Sequence, residues 1–140
     1  METELERSTS VRLTQKVLSL IAVIFGLVTI FAGTRVLMGS DPGYEVFLPL
    51  LLYNTVMGAV YIAAGITMWV NLNRGKCATV TIFAFNVFVL GIVGYLYAEE
   101  SSIAVESVRA MTFRTIVWFV IFLGLTWVYR RKPLVKEQHP

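Results

Sequence analysis

Redox, metal and histidine chemistry have very little to work with in this chain. Its single cysteine, Cys77, excludes an intramolecular disulfide and any CxxC redox pair. Its single histidine, His139, stands in a polar C-terminal stretch, so neither a bis-histidine haem within a membrane nor a His-based zinc site is available. Charge is scarce as well: 15% of the 140 residues are Asp, Glu, Lys or Arg, too few to cover the surface of a soluble domain. The formal net charge of +3 gives no reason to expect nucleic acid, because the basic residues are sorted by position along the chain. No cofactor, no metal and no nucleic-acid partner is expected.

Apolar residues, by contrast, make up 56% of the sequence and are gathered into four long runs. Runs of that length fit the hydrocarbon thickness of a bilayer, where a helix satisfies its own backbone. The expectation is an all-α protein with a single integral membrane domain over 1–140. It would be a four-helix transmembrane bundle with helices near 17–38, 46–70, 77–98 and 108–129.

The first 16 residues, METELERSTSVRLTQK, are polar and of mixed charge. They read as an amphipathic lead-in or as a disordered segment, with Ser8, Thr9 and Ser10 as helix caps. The apolar core that follows runs for about 17 residues, longer than a usual signal-peptide core, and no A-x-A site follows it. Within it Ser19, Ala22, Gly26, Thr29 and Gly33 share one side, a small-residue packing face. Arg35 falls on the opposite side near the helix end, either snorkelling to the headgroups or contacting an anion.

Gly39 to Tyr44, GSDPGY, is turn chemistry. In the second helix Pro49 sits in the first turn, where its missing N–H does no harm. On a wheel of about 100° per residue, Phe47, Leu50, Leu51, Gly58, Tyr61, Gly65 and Met68 cluster around Asn54. An amide, two glycines and a tyrosine on one face belong against other helices. The link NLNRGK, Asn71 to Lys76, reads as a tight turn with Gly75 as the stop. The third helix carries Asn86 with Thr79, Ile82, Val93 and Tyr97. Gly91 and Gly94 lie on another side, which implies two protein neighbours. The fourth, beginning within EESSIAVESV, carries Arg114 with Met111, Trp118, Ile121 and Leu125. Arg130, Arg131 and Lys132 close it, and Pro133 ends it.

Basic residues set the expected orientation. Of the twelve Lys and Arg residues, nine fall in the N-terminal stretch, the 71–76 link and the tail; Arg35, Arg109 and Arg114 fall on the other side. The positive-inside rule then puts both termini in the cytoplasm, in a plasma (inner) membrane. At about 1.5 Å per residue, Asn54 lies about 12 Å deep, Asn86 about 18 Å and Arg114 about 9 Å from the outer surface. Trp69, Trp127 and Tyr129 on one side and Tyr44 and Tyr97 on the other read as aromatic belts.

Two readings of the buried polar residues stand open. In one, Asn54, Asn86, Arg114, Tyr53 or Tyr61, and Tyr97 line an outer-half pocket for a small anionic or lipid-like ligand, with Glu45, Glu106 and Arg35 at its rim. In the other, Asn54 bonds Asn86, Arg114 bonds Glu106 or backbone carbonyls, and the cluster only holds the helices together. An intramembrane arginine is costly, so it should face the interior. Catalysis lacks a mid-membrane base or nucleophile. Proton-coupled transport lacks a titratable carboxylate there; the four-helix small multidrug transporters carry an acid in their first helix, and none stands between Val17 and Met38.

Phe31, Ala32, Gly33 and Arg35, followed by Gly58, Gly65 and Arg74, resemble the DoxX-type family of small four-helix bacterial membrane proteins over about a third of the chain. That resemblance implies a four-helix fold and an accessory place in a redox or quinone-linked complex. The acidic-plus-arginine signature of the four-helix eicosanoid and glutathione enzymes is absent. The functional expectation is an accessory subunit or a binder of a lipid-like or small anionic ligand. The alternative is a membrane-embedded enzyme or carrier acting on an amphiphilic anion through Arg114. The expected partners are the bilayer and a larger membrane complex or a second copy.

Overall fold

Four helices account for nearly all of the ordered backbone, and each is long and apolar enough to cross a bilayer. The computed structural model describes residues 3–99 and 103–131. Its elements are α1 (Glu4–Leu37), α2 (Leu48–Val70), α3 (Leu72–Ala98) and α4 (Val105–Arg131). The bundle has a loop end, carrying the α1–α2 and α3–α4 links, and a terminal end, carrying Thr3, Asn71 and Arg131.

Helix α1 starts well before the apolar run. Thr3 caps it, its hydroxyl accepting from Glu6 N while the Glu6 carboxylate accepts from Thr3 N. This reciprocal cap pre-empts Ser8, Thr9 and Ser10 as helix starts. The Thr9 hydroxyl instead bonds back to the Leu5 carbonyl at 2.9 Å. With no glycine or proline before Gly26, nothing interrupts the helix, and Val11 is buried in the same core as Leu72 and Val128.

The expected turn around Gly75 is also absent. Asn71 alone separates α2 from α3, ending one helix and capping the next, with its side chain accepting from Arg74 N at 3.1 Å. Gly75 lies inside α3 against Met68, where an added Cβ would stand 2.7 Å from the Met68 Cα. The glycine serves close helix approach rather than chain termination. Pro49 does occupy the first turn of α2, and Arg130 and Arg131 the last turn of α4. Lys132, Pro133 and His139 lie outside the described residues.

The α1–α2 contact is the tightest in the bundle. Gly26 and Gly58 face each other so closely that a Cβ on Gly26 would lie 2.6 Å from the Gly58 carbonyl oxygen. One on Gly65 would meet Val23 at 2.6 Å and the Ser19 carbonyl at 2.9 Å. In lipid, where apolar side chains gain nothing by leaving an apolar solvent, this backbone approach supplies van der Waals contact. The α1 face (Ser19, Ala22, Gly26, Thr29, Gly33) and the α2 face (Leu50, Gly58, Tyr61, Gly65, Met68) are buried as their spacing predicts. Gly91 and Gly94 on α3 meet nothing within 4 Å, so within one chain that side has no protein neighbour.

The core divides in two along the bundle. Toward the terminal end, Leu18 and Ala22 of α1 pack with Tyr61, Met68, Trp118, Ile121 and Leu125. Toward the loop end, a second cluster of Leu50, Val93, Ile103 and Met111 draws on α2, α3 and the start of α4, and α1 contributes no residue to it. That missing share of α1 creates the cavity described next.

Candidate functional site

A cavity of about 110 Å³ lies at the loop end between α1, α2, α4 and the segment that joins α1 to α2. Its polar groups are Thr29, Tyr44, Asn54, Ser107 and Arg114; Val36, Phe47 and Leu50 are among its apolar walls. Among the described residues no Asp, Glu, His or Cys lines it.

Each polar group arrives by simple helix geometry. Ser107, Ala110 and Arg114 are spaced three and four residues apart on α4 and share one edge. Asn54 comes from the second turn of α2. Tyr44 follows the turn in which Gly43 N donates to Asp41 Oδ1 at 2.8 Å, with Gly39 and Gly43 at positive φ, a backbone conformation that glycine adopts without strain.

Arg114 is the feature that sets the chemistry. Its Nε and Nη1 are buried and have no hydrogen-bond partner among the described residues. Tyr44 is the one tyrosine that shares the cavity lining with it. Across the cavity, Asn54 Oδ1 is buried and also unpartnered. An intramembrane cation without a countercharge costs roughly 2.5–3.5 kcal/mol by the lower estimates.

Asn86 sits apart from the cavity. It is fully buried, and its Oδ1 accepts from the Tyr61 hydroxyl at 3.0 Å and the Tyr53 hydroxyl at 3.3 Å. The expected alternative bond between Asn54 and Asn86 is not formed: Asn86 Nδ2 and Asn54 Oδ1 each lack a partner among the described residues, and the Asn86 oxygen accepts from the two tyrosines of α2. Asn86 Nδ2 and Trp118 Nε1, both on fully buried side chains, have no partner. Orphan buried side-chain groups among the described residues are therefore mostly N–H donors, with one acceptor, Asn54 Oδ1.

Of the residues singled out from sequence, the structure brings Asn54 and Arg114 to one cavity and joins Asn86 to Tyr61 behind it. Four others stand elsewhere. Tyr97 is 47% exposed on α3, whose residues do not line the cavity. Glu106 points outward from the first turn of α4, and Glu45 is exposed, so neither reaches Arg114. Arg35 is exposed, its guanidinium 5.8 Å from the Phe31 ring centroid. It lines a shallow depression with Ser40, Asp41 and Pro42, which shares only Ala32 and Val36 with the cavity. Thr29, Tyr44 and Ser107 are cavity residues that the sequence did not single out; Ser107, seven residues before Arg114, carried the clearest signal.

On the terminal side of the cavity, outside its lining, four aromatic rings pack together. Phe25 stacks on Tyr61 at 5.7 Å and meets Phe113 at 6.1 Å, while Tyr61 lies 4.9 Å from Trp118. No protein-family model, no curated protein and no solved structure matches the chain. The site must be read from its own chemistry.

Proposed function

We propose that this chain is a small multi-pass protein of the plasma (inner) membrane that binds an acidic ligand in the loop-end cavity, with both termini in the cytoplasm and the cavity in the outer half of the bilayer. One observation carries the reading: Arg114 lines a cavity that provides no carboxylate, and its buried Nε and Nη1 have no partner among the described residues. Buried charges in folded proteins are paired or hydrogen-bonded, and an anion entering this cavity satisfies that requirement. The binder reading is favoured over a purely accessory subunit for the same reason, since a structural arginine would be expected to find its partner within the bundle.

An enzyme or carrier acting through Arg114 gains no comparable support. The cavity lining offers no carboxylate, imidazole or thiol as a base. The test is native mass spectrometry on protein extracted in mild detergent. A stoichiometric acidic ligand is expected on the wild type, and its absence from a folded Arg114→Leu variant. Equal ligand occupancy on both would overturn the reading.

A further inference from the structure

The contact between α1 and α4 changes character along its length. Toward the terminal end it is filled: Gly124 of α4 receives Leu18, so closely that a Cβ there would lie 2.8 Å from the Leu18 side chain, and Phe25 meets Phe113. Phe25, Thr29, Ala32 and Val36 follow one another at helical spacing along the edge of α1 that faces α4. Past Phe25 the next two are small. Opposite them, the edge of α4 falls from Phe113 to Ala110 and Ser107. Thr29, Ala32, Ser107 and Ala110 all line the cavity, and α1 adds nothing to the apolar cluster at this level.

The small residues of both helices thin the cavity wall here into a slot, with Ala32 exposed at its rim and Arg114 in the same lining. From the loop end, by contrast, Tyr44, Val46 and Phe47 stand over the cavity. The polar requirements inside are also one-sided. Of the residues lining the cavity, Arg114 has two buried donors, Nε and Nη1, without acceptors among the described residues, against the one unpartnered acceptor, Asn54 Oδ1. A ligand head made of acceptor oxygens meets that excess, and a cationic or donor-rich head does not.

We infer that the ligand is a membrane amphiphile with an oxyanion head. Its phosphate or carboxylate is held at Arg114, and its hydrocarbon chain leaves through the Ala32–Ala110 slot into the bilayer. This rests on the proposed function and adds the ligand class and the direction of entry. Such a ligand arrives from the lipid, where its chain already resides, so the protein has only to satisfy the head.

The experiment uses the full-length protein in detergent with two probes, dodecyl phosphate and inorganic phosphate. Both share the oxyanion, and only the first has a chain. Binding is measured to the wild type, to Arg114→Leu, and to two slot variants, Ala32→Phe and Ala110→Leu; unfolding curves establish that each is folded. Ala32 is exposed at the rim, so its variant keeps the core intact if Ala110→Leu does not fold. The expected result is that the wild type prefers dodecyl phosphate, Arg114→Leu binds neither probe, and the slot variants lose about tenfold in dodecyl phosphate affinity, a larger loss than for inorganic phosphate. If slot variants bind dodecyl phosphate as the wild type does while Arg114→Leu does not, the lateral route is wrong and the anion site stands. If Arg114→Leu binds dodecyl phosphate normally, the proposed function fails and this inference with it. Equal affinity of the wild type for both probes would show a site for free anions reached from water.

Discussion

Asn54 and Arg114 line the same 110 Å³ cavity from different helices; Asn54 Oδ1 and Arg114 Nε and Nη1 lack a partner among the described residues, and the Asn54 oxygen does not bond the guanidinium. A bundle selected only for packing would be expected to bring such a donor and acceptor together. Their separation leaves room for a third group, and an oxyanion placed there would take up the arginine's donors.

Asn86 gives a separate, structural test of the buried polar groups. Asn86→Leu strips two tyrosine hydroxyls of their acceptor and should destabilise the bundle by about 1–3 kcal/mol. A double-mutant cycle pairing it with Tyr61→Phe should return a coupling of about 0.6 kcal/mol, and no more than about 1.7, the range of interhelical hydrogen bonds in lipid. Unfolding in mixed micelles measures both. Zero coupling would mean that the 3.0 Å contact contributes nothing.

Glycines of the same helical setting should behave in opposite ways. Gly26→Ala pushes a methyl to 2.6 Å from the Gly58 carbonyl oxygen and should cost about 1–3 kcal/mol through overpacking. Gly91→Ala, with nothing within 4 Å, should be neutral or stabilising by up to about 1 kcal/mol, the helix propensity difference. Comparable losses at both sites would place a neighbour, such as a second copy, against Gly91.

Orientation can be read by labelling. Cys77 is exposed near the terminal end of the bundle, and Ser40 lies at the loop end. In intact cells a membrane-impermeant maleimide should miss Cys77. It should label Ser40→Cys placed in a Cys77→Ser background. The reverse pattern would invert the proposed topology.

The helix faces were legible because glycine, alanine and serine at i, i+3, i+4 and i+7 leave few other places for a membrane helix to pack. That is how Ser19, Gly26 and Gly33 on α1, and Gly58, Tyr61 and Gly65 on α2, could be read from spacing. Helix ends were harder. The capping box of Thr3 and Glu6 competes with the Ser8–Ser10 cluster, and Asn71 does in one residue what NLNRGK has the composition to do in six. The site was legible only in part, because depth along a helix follows from residue count while rotation against neighbours does not. Tyr97 and Asn86 share a face on a wheel, yet α3 lies outside the cavity, and the loop residue Tyr44 has no periodicity to reveal it. Which tyrosines claim Asn86 depends on the order of helices around the bundle, and composition does not encode that order.

The central claim is that Arg114 is held without a partner in order to bind an anion, and one comparison tests it most directly. Wild type and Arg114→Leu are unfolded in detergent with and without dodecyl phosphate. Leucine removes an unpaired buried cation, so the free variant should be as stable as the wild type or more so. Dodecyl phosphate should raise the unfolding temperature of the wild type only. The variant should lose the charge-assisted hydrogen bonds, worth about 1.5–3 kcal/mol each, or about ten- to hundredfold in affinity. An Arg114→Leu protein that is destabilised by several kcal/mol, or that dodecyl phosphate stabilises as much as it does the wild type, would contradict the account.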